Sequence, residues 1–227
     1  MKRYELVFID LDETLLDFYQ AEKQALRLSF GQFGLEYSER AVLEYEEINA
    51  GVWRKLEQGG IDQETLKVER FRLLFERMHA EADPAAFSAT YLQELGKGVF
   101  LLPGAEETCA YLSGKYTLVV VTNGIKDVQR SRIGRSPLAT YFSALIISEE
   151  AGSSKPSPAI FEHACAGLGF TDKAAMIMVG DSLSSDIRGG INFGIDTCWF
   201  NPSSKANDSG LQPTYEIKAL SEIRTIL

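Results

Sequence analysis

Two carboxylates stand where the first apolar run of the chain stops. The run Leu6-Val7-Phe8-Ile9 is short, β-branched and aromatic, and free of Gly and Pro, which predicts a buried strand. Asp10 and Asp12 follow it in Asp10-Leu11-Asp12-Glu13-Thr14, and in extended backbone residues i and i+2 point to the same face. Two like charges at that point are costly unless a cation or a proton lies between them. They indicate a metal site or acid–base chemistry; a polar loop with a helix cap at Thr14 is the alternative.

Polar groups also follow the later apolar runs of the chain. They are Thr122-Asn123-Gly124, Lys155-Pro156, and Asp181 with Asp186. Each has a structural explanation by itself, as a strand-end turn, a solvated lysine or a helix cap. Their joint occurrence in this order favours a functional site over coincidence.

The chemistry of these residues is that of a phosphate site with a metal. Carboxyl and carbonyl oxygens without a His suit a hard cation, above all Mg²⁺. Lys155 and backbone N–H groups suit a phosphate. A carboxylate beside both can attack phosphorus, and a second carboxyl two residues on can protonate the leaving oxygen and later take a proton from water. The residues predict metal-assisted phosphoryl transfer through an aspartyl phosphate.

Strands and helices must alternate to bring these groups together. Apolar runs predict strands at 6–9, 118–121, 145–147, 176–179 and 197–200, with helices at about 104–113, 125–132, 157–168 and 184–192. This alternation is typical of a doubly wound α/β fold with a mostly parallel sheet, whose ligands bind at the carboxyl ends of the strands. Gly134 and the serines beside it weaken the helix after Thr122.

The segment 16–98 has a different pattern, without a good strand. Its apolar residues recur at helical spacing, and Ser38 and Asp83-Pro84 have the pattern of helix starts. We predict about four helices that form a separate domain, inserted in a core made of residues 1–15 and 99–227. The position of the insert favours a lid over the strand ends; a helical extension that only buries its own core is the alternative.

The composition bounds the class of protein. The chain has 227 residues, is 45% hydrophobic and carries a net charge of −9, which argues against a nucleic acid polymer as partner. Three widely spaced cysteines without a CxxC motif favour a reducing compartment, so we expect a cytoplasmic location. We expect neither a signal peptide nor a membrane span, and nothing in the pattern indicates an oligomeric state.

With these motifs in place, the sequence resembles the haloacid dehalogenase superfamily of phosphohydrolases. The resemblance covers residues 10 to 186 and implies a Rossmann-like core with an inserted α-helical cap of the C1 type. It implies that Asp10 is the nucleophile and a Mg²⁺ ligand, and that Asp12 is the general acid/base and lends its backbone carbonyl to Mg²⁺. The other implied roles are phosphate binding by Thr122 and Asn123, phosphate binding and charge compensation by Lys155, metal ligation by Asp181, and a supporting acidic role for Asp186. Lys155 and Mg²⁺ would also depress the pKa of Asp10.

A narrower resemblance is to the bacterial pyrimidine 5′-nucleotidases. It lies in residues 51–53, 147–152, 189–194 and 197–201, and it implies nucleoside 5′-monophosphates as the small phosphorylated substrates. Trp53 could stack on a base, although a helical Trp more often lies in a core.

Other activities fit parts of the same pattern. The nearest alternative is a sugar-phosphate phosphatase or a phosphomutase of the same superfamily. A phosphorylatable signalling module fits less well, because receiver domains are shorter and lack an inserted helical cap. A non-catalytic binding protein has no reason to keep these charges together, and a dehalogenase has no need of the second acid, Asp12.

Overall fold

Six strands of residues 4–227, the part of the chain that this computed structural model describes, form one sheet. They are β1 (Leu6–Ile9), β2 (Thr117–Thr122), β3 (Ala144–Ile147), β4 (Met176–Gly180), β5 (Asp196–Phe200) and β6 (Tyr215–Ile217). Their order is β3-β2-β1-β4-β5-β6, and all neighbours run parallel. From β1 the chain adds β2 and β3 on one side, and it then crosses to the other side of β1 to add β4, β5 and β6. The strand order therefore reverses between β1 and β4, and open α/β sheets bind ligands at such a point.

The same residues contain nine α-helices, numbered here in chain order. They are α1 (Phe18–Gln32), α2 (Glu39–Glu57), α3 (Gln63–Met78), α4 (Pro84–Leu95), α5 (Ala105–Ser113), α6 (Lys126–Arg135), α7 (Ser148–Ala151), α8 (Ala159–Leu168) and α9 (Arg188–Phe193). A π-helical turn, Leu183–Ile187, leads into α9. The segment expected to weaken α6 stays helical to Arg135, because burial of Arg132 and Ile133 offsets its poor helix propensity.

Helices cover both faces of the sheet. On one face, Val7 and Ile9 of β1 share a core cluster with residues of α5 and with Ile133 of α6. On the other face, Leu6 and Phe8 pack with residues of α8 and α9. Successive residues of a strand point to opposite faces, so a strand that is apolar throughout indicates a sheet covered on both sides. The doubly wound, Rossmann-like fold predicted from the sequence is confirmed, and the sheet is parallel throughout.

Two predictions about the elements need correction. Strand β6 was not expected, because Tyr215-Glu216-Ile217 is too short and too polar to stand out as an apolar run. The expected helix at 184–192 is two elements, since the π-helical turn precedes α9 and Ser182 caps that turn by accepting the N–H of Ser185 at 3.2 Å.

The chain divides into two compact units. The first contains residues 4–18 and 99–227, and the second is Tyr19–Gly98. Residues just beyond the expected boundary at 15 belong to the first unit because Leu16 bridges to Leu101 and the N–H of Asp17 donates to the carbonyl of Phe100 at 2.9 Å.

The second unit is helical and has a core of its own. Phe71 lies within 5.6 Å, between ring centroids, of Tyr45, Phe87 and Tyr91. Ser38 caps α2 by accepting the N–H of Ala41, as its sequence predicts. No helix in residues 4–227 has the length and apolar character needed to cross a membrane.

Candidate active site

The loop after β1 is tied to the loop after β4. Asp10 is buried, and its N–H donates to the carbonyl of Val179 at 2.9 Å. Thr14 is also buried, and its hydroxyl accepts the N–H of Asp181 at 3.1 Å. Thr14 is therefore engaged with the loop after β4, and Glu13 Oε1 accepts the first N–H of the following helix, that of Phe18, at 2.8 Å. These bonds hold Asp10 and Asp181 at one edge of the sheet.

Three carboxylates meet at that edge. Oxygens of Asp10, Asp181 and Asp186 all lie within 4.8 Å of one another. Asp186 comes from the π-helical turn and is fully buried, and its Oδ2 accepts the N–H of Ser182 at 3.0 Å. Gly180 makes room for it, because a Cβ at that position would lie 2.3 Å from Asp186 Oδ2. The glycine in Gly180-Asp181 is thus needed for the close approach of a side chain.

A buried ammonium compensates these carboxylates. Lys155 Nζ lies 2.5 Å from Asp10 Oδ1 and 2.7 Å from Asp186 Oδ1, and it also donates to the carbonyl of Val121 at 2.6 Å. Asn123 holds the backbone of Lys155 from both sides: its Nδ2 donates to the Lys155 carbonyl at 2.8 Å, and its Oδ1 accepts the Lys155 N–H at 2.9 Å. The lysine is consequently turned inward, with three acceptors around its ammonium.

Burial dominates the electrostatics of the cluster. It raises the pKa of Asp10 well above its usual value; the charges of Asp186 and Asp181 raise this pKa further, and Lys155 opposes the shift. Burial and the charge of Asp186 raise the pKa of Asp181 to about 7. Burial by itself would lower the pKa of Lys155, but Asp10 and Asp186 raise it on balance. Lys155 alone therefore does not depress the pKa of Asp10, because burial outweighs its effect. The expected depression by Lys155 together with Mg²⁺ stays a prediction.

The cluster fits a hard divalent cation. Its donors are carboxylate oxygens, which Mg²⁺ prefers, and they lie within 4.8 Å of one another. Asp186 is the most engaged of the three, because Lys155 and the N–H of Ser182 occupy its two oxygens. Asp10 and Asp181 are accordingly the better placed of the three to ligate an ion.

Thr122 and Asp12 lie together on the side of the site towards α6. The Thr122 hydroxyl accepts the N–H of Gly124 at 3.1 Å and Nε2 of Gln129 at 2.8 Å. The same Gln129 nitrogen donates to Asp12 Oδ2 at 2.7 Å, and Arg132 forms an ion pair with Asp12 Oδ1. The structure thus brings every residue of the predicted site into two linked groups around the ends of β1, β2 and β4.

Gln129 and Arg132 were not expected from the sequence. They stand at positions i and i+3 of α6, which places them on one helix face. This spacing within the predicted helix 125–132 was the available signal, although nothing in the sequence shows that the face meets Asp12.

Comparison with known proteins agrees with this geometry. The sequence model of the haloacid dehalogenase-like hydrolase family matches residues 4–194. The HAD-hydrolase YfnB, so named in Bacillus subtilis (strain 168), is 36% identical over 227 residues, covering 100% of this chain and 97% of YfnB. A crystal structure of YfnB bound to magnesium superposes with a TM-score of 0.93 at 35% identity, covering 100% of this chain and 99% of that one.

Two further relatives are named as nucleotidases. The pyrimidine 5′-nucleotidase YjjG of Escherichia coli (strain K12) is 31% identical over 99% of this chain and 98% of its own length. The pyrimidine 5′-nucleotidase PynA of Streptococcus pneumoniae (strain ATCC BAA-255 / R6) is 34% identical over 97% of this chain and 93% of its own length.

Proposed function

Because the chain belongs to the haloacid dehalogenase-like hydrolases, we propose that it is a Mg²⁺-dependent phosphatase that cleaves nucleoside 5′-monophosphates through an aspartyl phosphate on Asp10. The observation that carries this proposal is the position of Lys155 Nζ, which lies between Asp10 and Asp186 beside Asp181. A carboxylate held between an ammonium and other acids suits attack on a phosphate that a cation helps to bind.

Asp10 and Asp12 divide the first step between them. A carboxylate oxygen of Asp10 attacks phosphorus, and the bond from phosphorus to the ester oxygen breaks. The carboxyl of Asp12 gives its proton to that oxygen, so the alcohol leaves neutral. The second step reverses the role of Asp12: water attacks phosphorus and gives a proton to the Asp12 carboxylate. The bond from phosphorus to Asp10 then breaks, and inorganic phosphate is released.

Asp10, Asp181 and the backbone carbonyl of Asp12 would hold Mg²⁺, which when bound supplies positive charge to the phosphate oxygens. Asp186, with both oxygens engaged, supports this set and keeps Lys155 in place. Lys155 compensates the charge of Asp10, and its positive charge also attracts the phosphate. Its three N–H groups already face Asp10, Asp186 and the Val121 carbonyl, so a direct bond to the phosphate would replace one of these.

Thr122 and Asn123 bind the phosphate in different ways. The Thr122 oxygen accepts two hydrogen bonds from the protein, which leaves its own O–H as a donor for a phosphate oxygen. The Asn123 side chain is engaged with the backbone of Lys155, so its contribution to the phosphate comes from its backbone N–H.

The full-length similarity to YjjG and PynA, which are named as pyrimidine 5′-nucleotidases, supports a nucleoside monophosphate as substrate. The presence of Asp12 supports a phosphate ester over an organic halide, because a proton donor is required for an alcohol leaving group but not for a halide. Asp12 does not distinguish a nucleotide from a sugar phosphate. That the helical unit acts as a cap, and that the protein resides in the cytoplasm, stay predictions.

A substrate panel tests this proposal directly. Purified protein is assayed for phosphate release from pyrimidine and purine nucleoside monophosphates and from sugar phosphates, with Mg²⁺ and with excess chelator. We expect turnover only with Mg²⁺, a preference for pyrimidine monophosphates, and no turnover by Asp10→Asn. Equal turnover with chelator would reject the metal assignment, and a preference for sugar phosphates would reject the substrate class.

A further inference from the structure

Gln129 and Arg132 hold both carboxylate oxygens of Asp12, and we refer to these two residues as the α6 clamp. Gln129 Nε2 donates to Asp12 Oδ2 at 2.7 Å, and Arg132 Nη1 donates to Asp12 Oδ1. Gln129 and Arg132 are buried, whereas the side chain of Asp12 keeps 26% of its surface exposed. The clamp therefore binds each Asp12 oxygen once, and part of the carboxylate surface stays accessible to solvent.

The hydrogen bonds of Gln129 fix which way its amide points. Its Nε2 donates to Asp12 and also to the Thr122 hydroxyl, the latter at 2.8 Å, while its Oε1 accepts a hydrogen bond from Arg132 Nη1 at 3.3 Å. An amide nitrogen has two hydrogens and can serve both acceptors at once. The position of Asp12 is thereby coupled to that of Thr122 at the end of β2.

The clamp leaves acceptor sites of Asp12 unoccupied. A carboxylate offers about four lone-pair sites, and the two clamp donors occupy one on each oxygen. A site therefore remains on each oxygen for a proton or a water molecule. A group that must give a proton and later take one back needs such a free site in a fixed place.

The surroundings keep the clamp in this arrangement. The Arg132 guanidinium lies 5.7 Å from the centroid of the Phe18 ring, and the neighbouring Ile133 is part of the sheet core. Gly124 leaves the space that Gln129 occupies, because a Cβ at position 124 would lie 2.3 Å from Gln129 Nε2. The glycine of Thr122-Asn123-Gly124 thus has a packing reason besides turn formation.

We propose that Gln129 and Arg132 are positioning residues that orient Asp12 for its two proton transfers. This inference rests on the proposed function, since it assumes that Asp12 is the acid and the base. The competing explanation is structural: a buried guanidinium needs a counter-ion, and Asp12 supplies it. The two explanations differ in what happens when the leaving group does not need a proton.

The test compares two esters in pre-steady-state kinetics with Mg²⁺. p-Nitrophenyl phosphate releases a stable anion without protonation, while the fastest nucleoside monophosphate of the panel releases an alcohol that needs the proton of Asp12. The variants are Arg132→Met, Arg132→Lys and Gln129→Met. Gly124→Ala displaces Gln129 without replacing it. Arg135→Met is the control, because it makes the same change as Arg132→Met at an exposed position of the same helix.

We expect Arg132→Met and Gln129→Met to lower kcat for the nucleotide by about 10- to 100-fold at little changed KM. With p-nitrophenyl phosphate, release of the first equivalent of p-nitrophenolate should stay within about threefold of the wild-type rate, because that step needs no acid. Steady-state turnover should fall, because hydrolysis of the aspartyl phosphate still needs the base. A burst of p-nitrophenolate should therefore precede the slower steady state. Gly124→Ala should behave like Gln129→Met. Arg132→Lys should recover part of the kcat that Arg132→Met loses.

Two results would overturn the inference in distinguishable ways. If the variants lose the first turnover equally with both esters, while Arg135→Met is unaffected, the clamp is structural and the proposed function stands. If the wild-type protein turns over neither ester with Mg²⁺, the proposed function fails and the positioning role fails with it. Should Arg132→Met not fold, the Gln129→Met and Gly124→Ala pair decides the question alone.

Discussion

Lys155 Nζ lies 2.5 Å from Asp10 Oδ1 in the buried part of the site. The lysine also pairs with Asp186 at 2.7 Å, so one cation compensates two carboxylates that are separated by most of the chain. The same ammonium that compensates these carboxylates is the one proposed to attract the phosphate, so one side chain connects the stability of the site to its chemistry.

Removal of that ammonium should cost both stability and activity. Lys155→Met leaves buried carboxylates without compensation, so we expect the free energy of unfolding to fall by about 3 kcal/mol and kcat to fall by about 10²- to 10³-fold. Urea unfolding and steady-state kinetics measure the two effects. Lys97→Met, at an exposed lysine, should change stability by less than about 0.5 kcal/mol.

A second substitution separates the effect of Lys155 on stability from its effect on activity. Lys155→Met combined with Asp186→Asn removes one of the uncompensated charges, so it should recover part of the stability but none of the activity. A double variant as unstable as Lys155→Met would contradict the charge-compensation account of this ion pair.

Binding of Mg²⁺ should release protons near neutral pH. Burial and Asp186 raise the pKa of Asp181 to about 7, so a substantial fraction of this carboxyl is protonated at pH 6.5, and a cation must displace that proton. Affinity for Mg²⁺ should therefore rise with pH between 6 and 8, by at most about tenfold per unit for one displaced proton. Calorimetry in two buffers of different ionisation enthalpy measures the release directly.

The matched control is an exposed carboxylate. Asp208→Asn changes an acid on the surface loop 201–210 and should leave the pH dependence of binding intact. Affinity that is equal at pH 6 and pH 8 in the unsubstituted protein would argue against Asp181 as a ligand.

Gly180→Ala should damage the site through packing. The added Cβ would fall 2.3 Å from Asp186 Oδ2, so Asp186 must shift, which disturbs its ion pair with Lys155. We expect a loss of about 1–3 kcal/mol in the free energy of unfolding and weaker Mg²⁺ binding. Gly167→Ala is the comparison, because nothing lies within 4 Å of its added Cβ. Gly167 lies in the last turn of α8, so this substitution should change stability by less than about 0.5 kcal/mol. Unchanged metal affinity in Gly180→Ala would show that the position of Asp186 does not matter.

Much of this structure could be read from the sequence because its strands are short, apolar throughout and followed by polar residues. Leu6–Ile9 has no exposed position, so its apolar pattern predicts a strand covered on both faces. In a parallel sheet, the groups that follow each strand then lie at the same edge. The contacts of α6 were not predictable in this way. A helix at about 125–132 was predicted, but the hydrogen bonds from Gln129 to Asp12 and Thr122 join residues whose approach only the tertiary fold determines.

Asp12→Asn should separate catalysis from metal binding. Asn cannot give or take the proton, so turnover of the nucleotide should fall by at least about 10²-fold. The backbone carbonyl proposed as the metal ligand is unchanged, so the Mg²⁺ dissociation constant should stay within about twofold of the wild-type value in calorimetry. Asp10→Asn is the contrasting variant and should lose both properties. Full turnover by Asp12→Asn would exclude its acid–base role.

The most direct test of the central claim is to trap the covalent intermediate. Protein that is turning over a nucleoside monophosphate with Mg²⁺ is quenched in acid, and its peptides are examined by mass spectrometry for a phosphorylated carboxylate. Phosphate on Asp10 that disappears with chelator and in Asp10→Asn is the expected result. Phosphate on a different residue, or undiminished turnover by Asp10→Asn, would contradict the account.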